Sequence, residues 1–251
     1  MNKLIAVWGK NGSGKSTVAA NLACAFAKRG YKTALVGANR FYGSIQYMFN
    51  LEVRAEQSLR SILAGGDSLS IQGRFTECAS VKNLYIASLA DSDDCAGYRK
   101  LRTDMIVRFI NLVKKSYPVT IIDCDESTED PLSMYCLTLS ESVVYVTRPL
   151  TLSAVFSKAY EPIVAGLQIG DRMKVVFNDN RAAGDAAAYI PFKHTKAYTV
   201  LPFCKSIERT QGTGSLPAMM QNGVNRDLSR YRKGIQGLAD ALLPSGVKGA
   251  E

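Results

Sequence analysis

The chain has 251 residues, with Lys+Arg 31 against Asp+Glu 22, a formal net charge of +9. Apolar residues make up 47% and charged residues 21%. That is an ordinary globular composition, which excludes disordered and collagen-like chains and favours one large domain.

No apolar run approaches the roughly 20 residues of a membrane-spanning helix. The early run Leu4–Trp8 meets Gly9 and Lys10 at once, too short for a signal-peptide core, so a cytoplasmic location is expected. Six cysteines without a C-x-x-C, beside the single histidine His194, indicate neither a zinc site nor a disulfide framework. Buried or inert thiols are the expectation.

In chain order, Leu4–Trp8 reads as a strand and the Ala-rich stretch Thr17–Arg29 as a helix stopped by Gly30. Thr33–Val36 and Leu84–Ser88 read as further strands. A helix over Tyr98–Lys115 carries Leu101, Met105, Ile106, Phe109, Leu112 and Val113 at helical spacing. Strands follow at Thr120–Ile122 and Val143–Thr147, then a helix over Leu152–Ala165, strands at Lys174–Phe177 and Thr199–Leu201, and a helix over Asn225–Leu243. The strands are continuously apolar, as strands covered on both faces must be. This alternation predicts an α/β fold, a mostly parallel sheet with helices on both faces. One domain is expected over residues 1–244, with a frayed tail at 245–251.

The sharpest motif is Gly9-Lys10-Asn11-Gly12-Ser13-Gly14-Lys15-Ser16, which satisfies G-x-x-x-x-G-K-[ST] between a strand and a helix. Gly12 and Gly14 let backbone N–H groups converge on phosphate oxygens. Lys15 supplies a cation to the β- and γ-phosphates, and Ser16 offers a hydroxyl to Mg²⁺. The helix that opens at Ser16-Thr17 directs its positive end at the same anion.

With Lys10 the segment K-N-G-S-G-K-S resembles the deviant Walker A loop of the MinD/ParA family of P-loop ATPases, K-G-G-x-G-K-[ST], with Asn11 in place of the first glycine of the pair. Ile121-Ile122-Asp123 resembles that family's Walker B strand, whose Asp holds Mg²⁺ through its water shell. Phe177-Asn178 resembles the position where an Asn amide reads the adenine edge. Thr199–Ile207, with Pro202 and Phe203, resembles the strand and loop that close over the base. Ser58–Leu63 and Asn83–Ser88 follow the family's middle section, so the resemblance covers residues 3–243. It implies a doubly wound sheet with ATP and Mg²⁺ at the C-terminal strand ends. It further implies an ATP-dependent face-to-face homodimer in which Lys10 reaches the partner's nucleotide, slow ATP hydrolysis, and control of where a cargo sits in a bacterial-type cytoplasm.

Two departures stand out. The family's D-x-D-like motif after the second strand is replaced by Val36-Gly37-Ala38-Asn39-Arg40. Asn39 can hydrogen-bond a water but cannot take its proton as a carboxylate would. After Walker B, where relatives often have prolines, Asp123, Asp125, Glu126, Glu129 and Asp130 put five acids into eight residues. Either this is a solvated acidic loop, or Asp125 supplies the missing carboxylate near the γ-phosphate. The chain is then a slow ATPase or an ATP-binding scaffold that barely hydrolyses.

The cargo reading divides between DNA partitioning and positioning of a secretion or pilus machine, as in the TadZ/CpaE branch. A small-molecule or protein kinase on the same fold is an alternative, but the tail has no tyrosine after Tyr231. A metal-insertion chaperone is another, resting on Cys124 beside Asp123. The apolar face Leu228, Tyr231, Ile235, Leu238 and Leu242 of the last helix fits docking on the sheet better than direct membrane anchoring.

The charge is unevenly spread. Residues 193–248 hold nine Lys/Arg against three Asp/Glu, and residues 97–115 hold six against Asp104 alone, which leaves the rest slightly acidic. Arg226, Arg230 and Lys233 share one helix face, a candidate surface for non-specific DNA, and Arg108 and Lys115 are expected on the polar side of the other helix.

Overall fold

Strand β1 (Lys3–Trp8) feeds helix α1 (Lys15–Lys28), and the same alternation continues down the chain. It runs through β2 (Thr33–Gly37), α2 (Leu59–Ala64), β3 (Thr76–Glu77), β4 (Leu84–Ala87), α3 (Thr103–Ser116), β5 (Val119–Asp123), α4 (Pro131–Leu139), β6 (Ser142–Thr147), α5 (Thr151–Gly166), β7 (Met173–Asn180), β8 (Tyr198–Pro202), α6 (Lys205–Thr210) and α7 (Arg226–Leu242). This computed structural model describes residues 2–65, 70–71, 73–94, 101–180, 189, 192, 198–210, 217–222 and 225–243. The expected tail at 245–251 lies outside them.

The strands form one sheet in the order β3-β4-β2-β5-β1-β6-β7-β8. Every pairing is parallel except β3 with β4. β1 sits between β5 and β6, with Val7 opposite Asp123 and Trp8 opposite Tyr145. The chain winds out from β1 toward β2 and later returns past it to β6. A crevice therefore opens at the C-terminal end of β1, the switch point where open α/β sheets bind ligands.

Successive β1 residues face opposite ways. Ile5 and Val7 join a core with α1 and α7, whereas Leu4, Ala6 and Trp8 join one with α2, α3 and α4. Sheet strands buried on both faces explain the unbroken apolar runs. Helix α1 is itself almost wholly interior, with Ser16 and Lys28 its least buried positions. It stops where Gly30 takes φ +90°, a conformation that costs other residues more. Its end is tied to α7 by Arg29, which pairs with Asp240 at 3.0 Å.

Helix α3 begins at Thr103 rather than at Tyr98, and residues 98–100 lie outside the described set. Arg102 is extended and its guanidinium pairs with Asp104 at 2.7 Å, across the helix start. Arg108 also departs from expectation. It is half-buried and donates to the carbonyls of Leu63 and Gly65, closing the C-terminal end of α2. Lys115 is exposed as expected. Helices α2, α4 and α6 and strand β3 were not marked by periodicity. They are short, and β3 is a two-residue edge.

Helix α7 is capped by Asn225, whose Oδ1 accepts from the Leu228 N–H at 2.7 Å. Leu228, Tyr231, Ile235, Leu238 and Leu242 are all buried against the core, as the pattern indicated. Among the described residues no helix is long and apolar enough to cross a membrane.

Candidate phosphate-binding site

The loop leaves the sheet at Gly9, with φ +146°. A Cβ there would lie 2.1 Å from the Val146 carbonyl oxygen, so only glycine lets the chain pass β6. Gly14 takes φ +91°, and a Cβ on it would meet Asn178 Nδ2 at 2.1 Å. The turn is closed by Ser13 N–H donating to the Lys10 carbonyl at 3.1 Å. Helix α1 starts directly afterwards with no side-chain cap. The positive end of its dipole points at the loop and favours an anion there.

Lys15 is 8% exposed. Burial lowers its pKa, while Asp123, Glu126 and Asp125 pull it the other way. Its Nζ donates to Asn11 Oδ1 at 2.9 Å. Ser16 Oγ donates to Asp123 Oδ2 at 2.6 Å. Burial pushes the Asp123 carboxyl up to about 6, against the opposing pull of Ser16 and Lys15. Its other oxygen, Oδ1, is buried and has no hydrogen-bond partner among the described residues. An orphaned carboxylate oxygen beside a serine hydroxyl fits a hydrated Mg²⁺, a hard cation that takes oxygen ligands and retains waters. Lys15, Ser16 and Asp123 line one cleft of about 420 Å³ together with Asn39, Tyr42 and Asp125.

The five acids are not one solvated run. Asp130 is buried and caps α4, its Oδ2 accepting from the Ser133 N–H at 2.8 Å. Glu129 is exposed. Asp125 faces the cleft, its main-chain N–H donating to Ser133 Oγ at 2.8 Å and its Oδ1 accepting from the Ser127 N–H at 2.9 Å. Glu126 turns the other way, onto the phosphate loop: its carboxylate accepts from the Asn11 N–H. The spacing of the acids gave no means of telling these roles apart.

Asn39 lines the cleft, but its Oδ1 accepts from the N–H groups of Phe41 at 2.9 Å and Tyr42 at 3.4 Å and so holds a turn. Tyr42 and Ser44 line the cleft without any sequence signal. Lys10 is half-buried, with its Nζ 3.4 Å from the Asn11 carbonyl, and is not among the cleft-lining residues. Asn178 is buried and braces the loop, Nδ2 donating to the Ser13 carbonyl at 2.9 Å. Pro202 and Phe203 are half-buried at the end of β8, and neither lines the phosphate cleft. Cys124 is buried, and among the described residues no three His, Cys, Asp or Glu side chains are grouped to hold a metal ion.

Residues 1–163 match the family model described as "ParA: NUBPL iron-transfer P-loop NTPase". The chain belongs to the MinD/ParA family of P-loop NTPases. A MinD/ParA relative, the putative septum site-determining protein MinD of Guillardia theta, is 27% identical over 140 residues, 55% of this chain and 50% of that protein. The chain thus spans about half the length of the curated relatives it matches. The MinD of Pyrococcus horikoshii OT3, solved with Mg-ADP, superposes with a TM-score of 0.76 at 19% identity, covering 96% of each chain. A ParA family ATPase from Chlorobium tepidum TLS gives 0.76 at 16% identity, covering 95% of this chain and 97% of that one. At these identities the structural likeness establishes the shared MinD/ParA fold.

Proposed function

We propose that this chain is an ATP-binding switch that dimerises face to face on ATP, hydrolyses it slowly and positions a cargo. The observation that carries this reading is the meeting of Lys15, Ser16 and Asp123 in one cleft at the switch point of the sheet. The loop N–H groups and Lys15 bind the phosphates, and Ser16 with Asp123 hold Mg²⁺. When bound, Mg²⁺ neutralises charge on the β- and γ-phosphates. Lys10, outside its own cleft, is free to serve a partner's nucleotide. In this reading Asn178, Pro202 and Phe203 serve the adenine. Gel filtration with ATP, with ADP and without nucleotide tests the reading. A dimer with ATP alone supports the switch, and a monomer under all three conditions counts against it.

With Asp123 given to Mg²⁺, Asp125 is the cleft-lining carboxylate left to accept a proton from the attacking water, the task Asn39 cannot perform. Asp125→Ala is expected to slow single-turnover ATP cleavage by roughly 100-fold, the usual scale for a lost general base. Equal rates in the two proteins would remove Asp125 from the mechanism and favour the nearly inert scaffold.

DNA partitioning is the second reading, favoured by one observation: Arg226, Arg230 and Lys233 are all exposed along α7, opposite its buried face. Three cations on one face suit phosphate contacts whose strength falls with salt. Replacing all three with Glu is expected to lower duplex DNA affinity by at least about ten-fold at low salt and to flatten its salt dependence, with ATP binding unchanged. If DNA affinity is unaltered, this helix face is only a solvated surface, and positioning of a secretion or pilus machine becomes the leading reading.

A further inference from the structure

Glu126 bears no role in the reading above, yet it makes a contact that a phosphate would contest. Its carboxylate accepts from the Asn11 N–H, inside the loop whose N–H groups the motif reserves for phosphate oxygens. Asn11 in turn offers its side-chain oxygen to Lys15 Nζ at 2.9 Å, taking up the cation meant for the β- and γ-phosphates. Two groups therefore engage the loop from within: an anion on a loop amide and an amide oxygen on the loop lysine. Both residues are ones in which this chain differs from the family pattern, a glycine being usual at Asn11 and prolines being common near Glu126.

We propose that Glu126 and Asn11 form an internal latch on the phosphate loop, which a nucleoside triphosphate must displace in order to bind. The inference rests on the nucleotide reading above and concerns how that site is regulated. A carboxylate and a phosphate compete for one N–H donor, and like charges at short range repel. Triphosphate entry thus drives Glu126 off the loop and moves the segment between β5 and α4, which also carries Asp125.

A reporter is built in. Trp8 is the single tryptophan of the chain, and its Nε1–H donates to the Glu126 carbonyl oxygen at 3.1 Å. Its ring packs against Tyr145, Phe156 and Tyr160, with centroids 5.4–5.8 Å away. Displacement of Glu126 changes the environment of the indole N–H directly.

The test is titration of the full chain with Mg-ATP, followed by calorimetry and by Trp8 fluorescence, in wild type, Glu126→Gln, Glu126→Ala and Asn11→Gly. The variants are expected to bind ATP about ten-fold more tightly, equivalent to ~1.4 kcal/mol. Without nucleotide they should melt earlier than wild type. This pairing of tighter binding with lower stability is one that simple structural damage does not produce. Wild type should show a fluorescence change on ATP addition. ATP binding by the variants alone would also support the latch. Equal or weaker binding by the variants, where wild type binds, would overturn the latch and leave the nucleotide reading standing. Failure of all four proteins to bind ATP would overturn both.

Discussion

Lys15→Ala is expected to weaken Mg-ATP binding by about 100- to 1,000-fold, with the fold retained. The figure corresponds to the roughly 3–4 kcal/mol lost when one partner of a buried charge pair is removed. Lys15 is buried with Asn11 Oδ1 as its hydrogen-bond partner, and desolvation lowers its pKa against the pull of Asp123, Glu126 and Asp125, so its charge is held at a cost. That cost is recovered when phosphate oxygens replace Asn11 Oδ1 as its partner. Alanine removes both the cost and the recovery, which leaves the stability of the protein without nucleotide nearly unchanged while binding fails. Calorimetric titration with Mg-ATP, with circular dichroism to confirm the fold, measures both. Binding retained within about three-fold of wild type, a difference of less than ~1 kcal/mol, would sink the assignment of this loop to phosphate.

Gly9→Ala is expected to act on the fold itself. The added methyl would lie 2.1 Å from the Val146 carbonyl oxygen, which is backbone of a central strand and cannot swing aside. The residue would also have to hold φ +146°, outside the range that L side chains adopt readily. Strain of this kind costs about 1–3 kcal/mol before the clash is counted. A loss near ~3 kcal/mol would lower the melting temperature by roughly 6–12 °C in a chain of this size. Thermal denaturation of the nucleotide-free protein measures it. An unchanged melting temperature would mean that the loop leaves β1 by another path. Gly12 takes φ +78° but a Cβ there would meet nothing within 4 Å, so Gly12→Ala carries the strain without the clash and makes the useful contrast.

Much of this was legible in the sequence because the signals were local. Parallel strands buried on both faces announce themselves as unbroken apolar runs, so β1, β5 and β6 were found within a residue or so at each end. The loop glycines were legible because the motif states where the backbone must turn back. Helix α4 has a local signal that the surrounding acids mask: Asp130 before Pro131 is a cap followed by a first-turn proline. What was not legible depends on long-range placement. That Arg108 closes α2, that Glu126 turns to the loop while Asp125 faces the cleft, and that Tyr42 lines it, all follow from how separate segments meet. No periodicity within one segment encodes such meetings.

The near-complete burial of α1 has a mechanical consequence. Its interior face is built largely of alanines packed against the sheet and α7, and Asn21 is fixed at both ends of its amide, donating to the Thr17 carbonyl at 2.8 Å and accepting from the Met219 N–H at 3.0 Å. Packing this dense leaves no clearance for sliding by even a methyl's width. The helix that carries Lys15 and Ser16 is therefore an anvil, fixed in the frame of the sheet. In the proposed switch, movement would fall on the two strips of chain across the crevice from it, 39–42 and 125–129, which are held largely by side-chain hydrogen bonds.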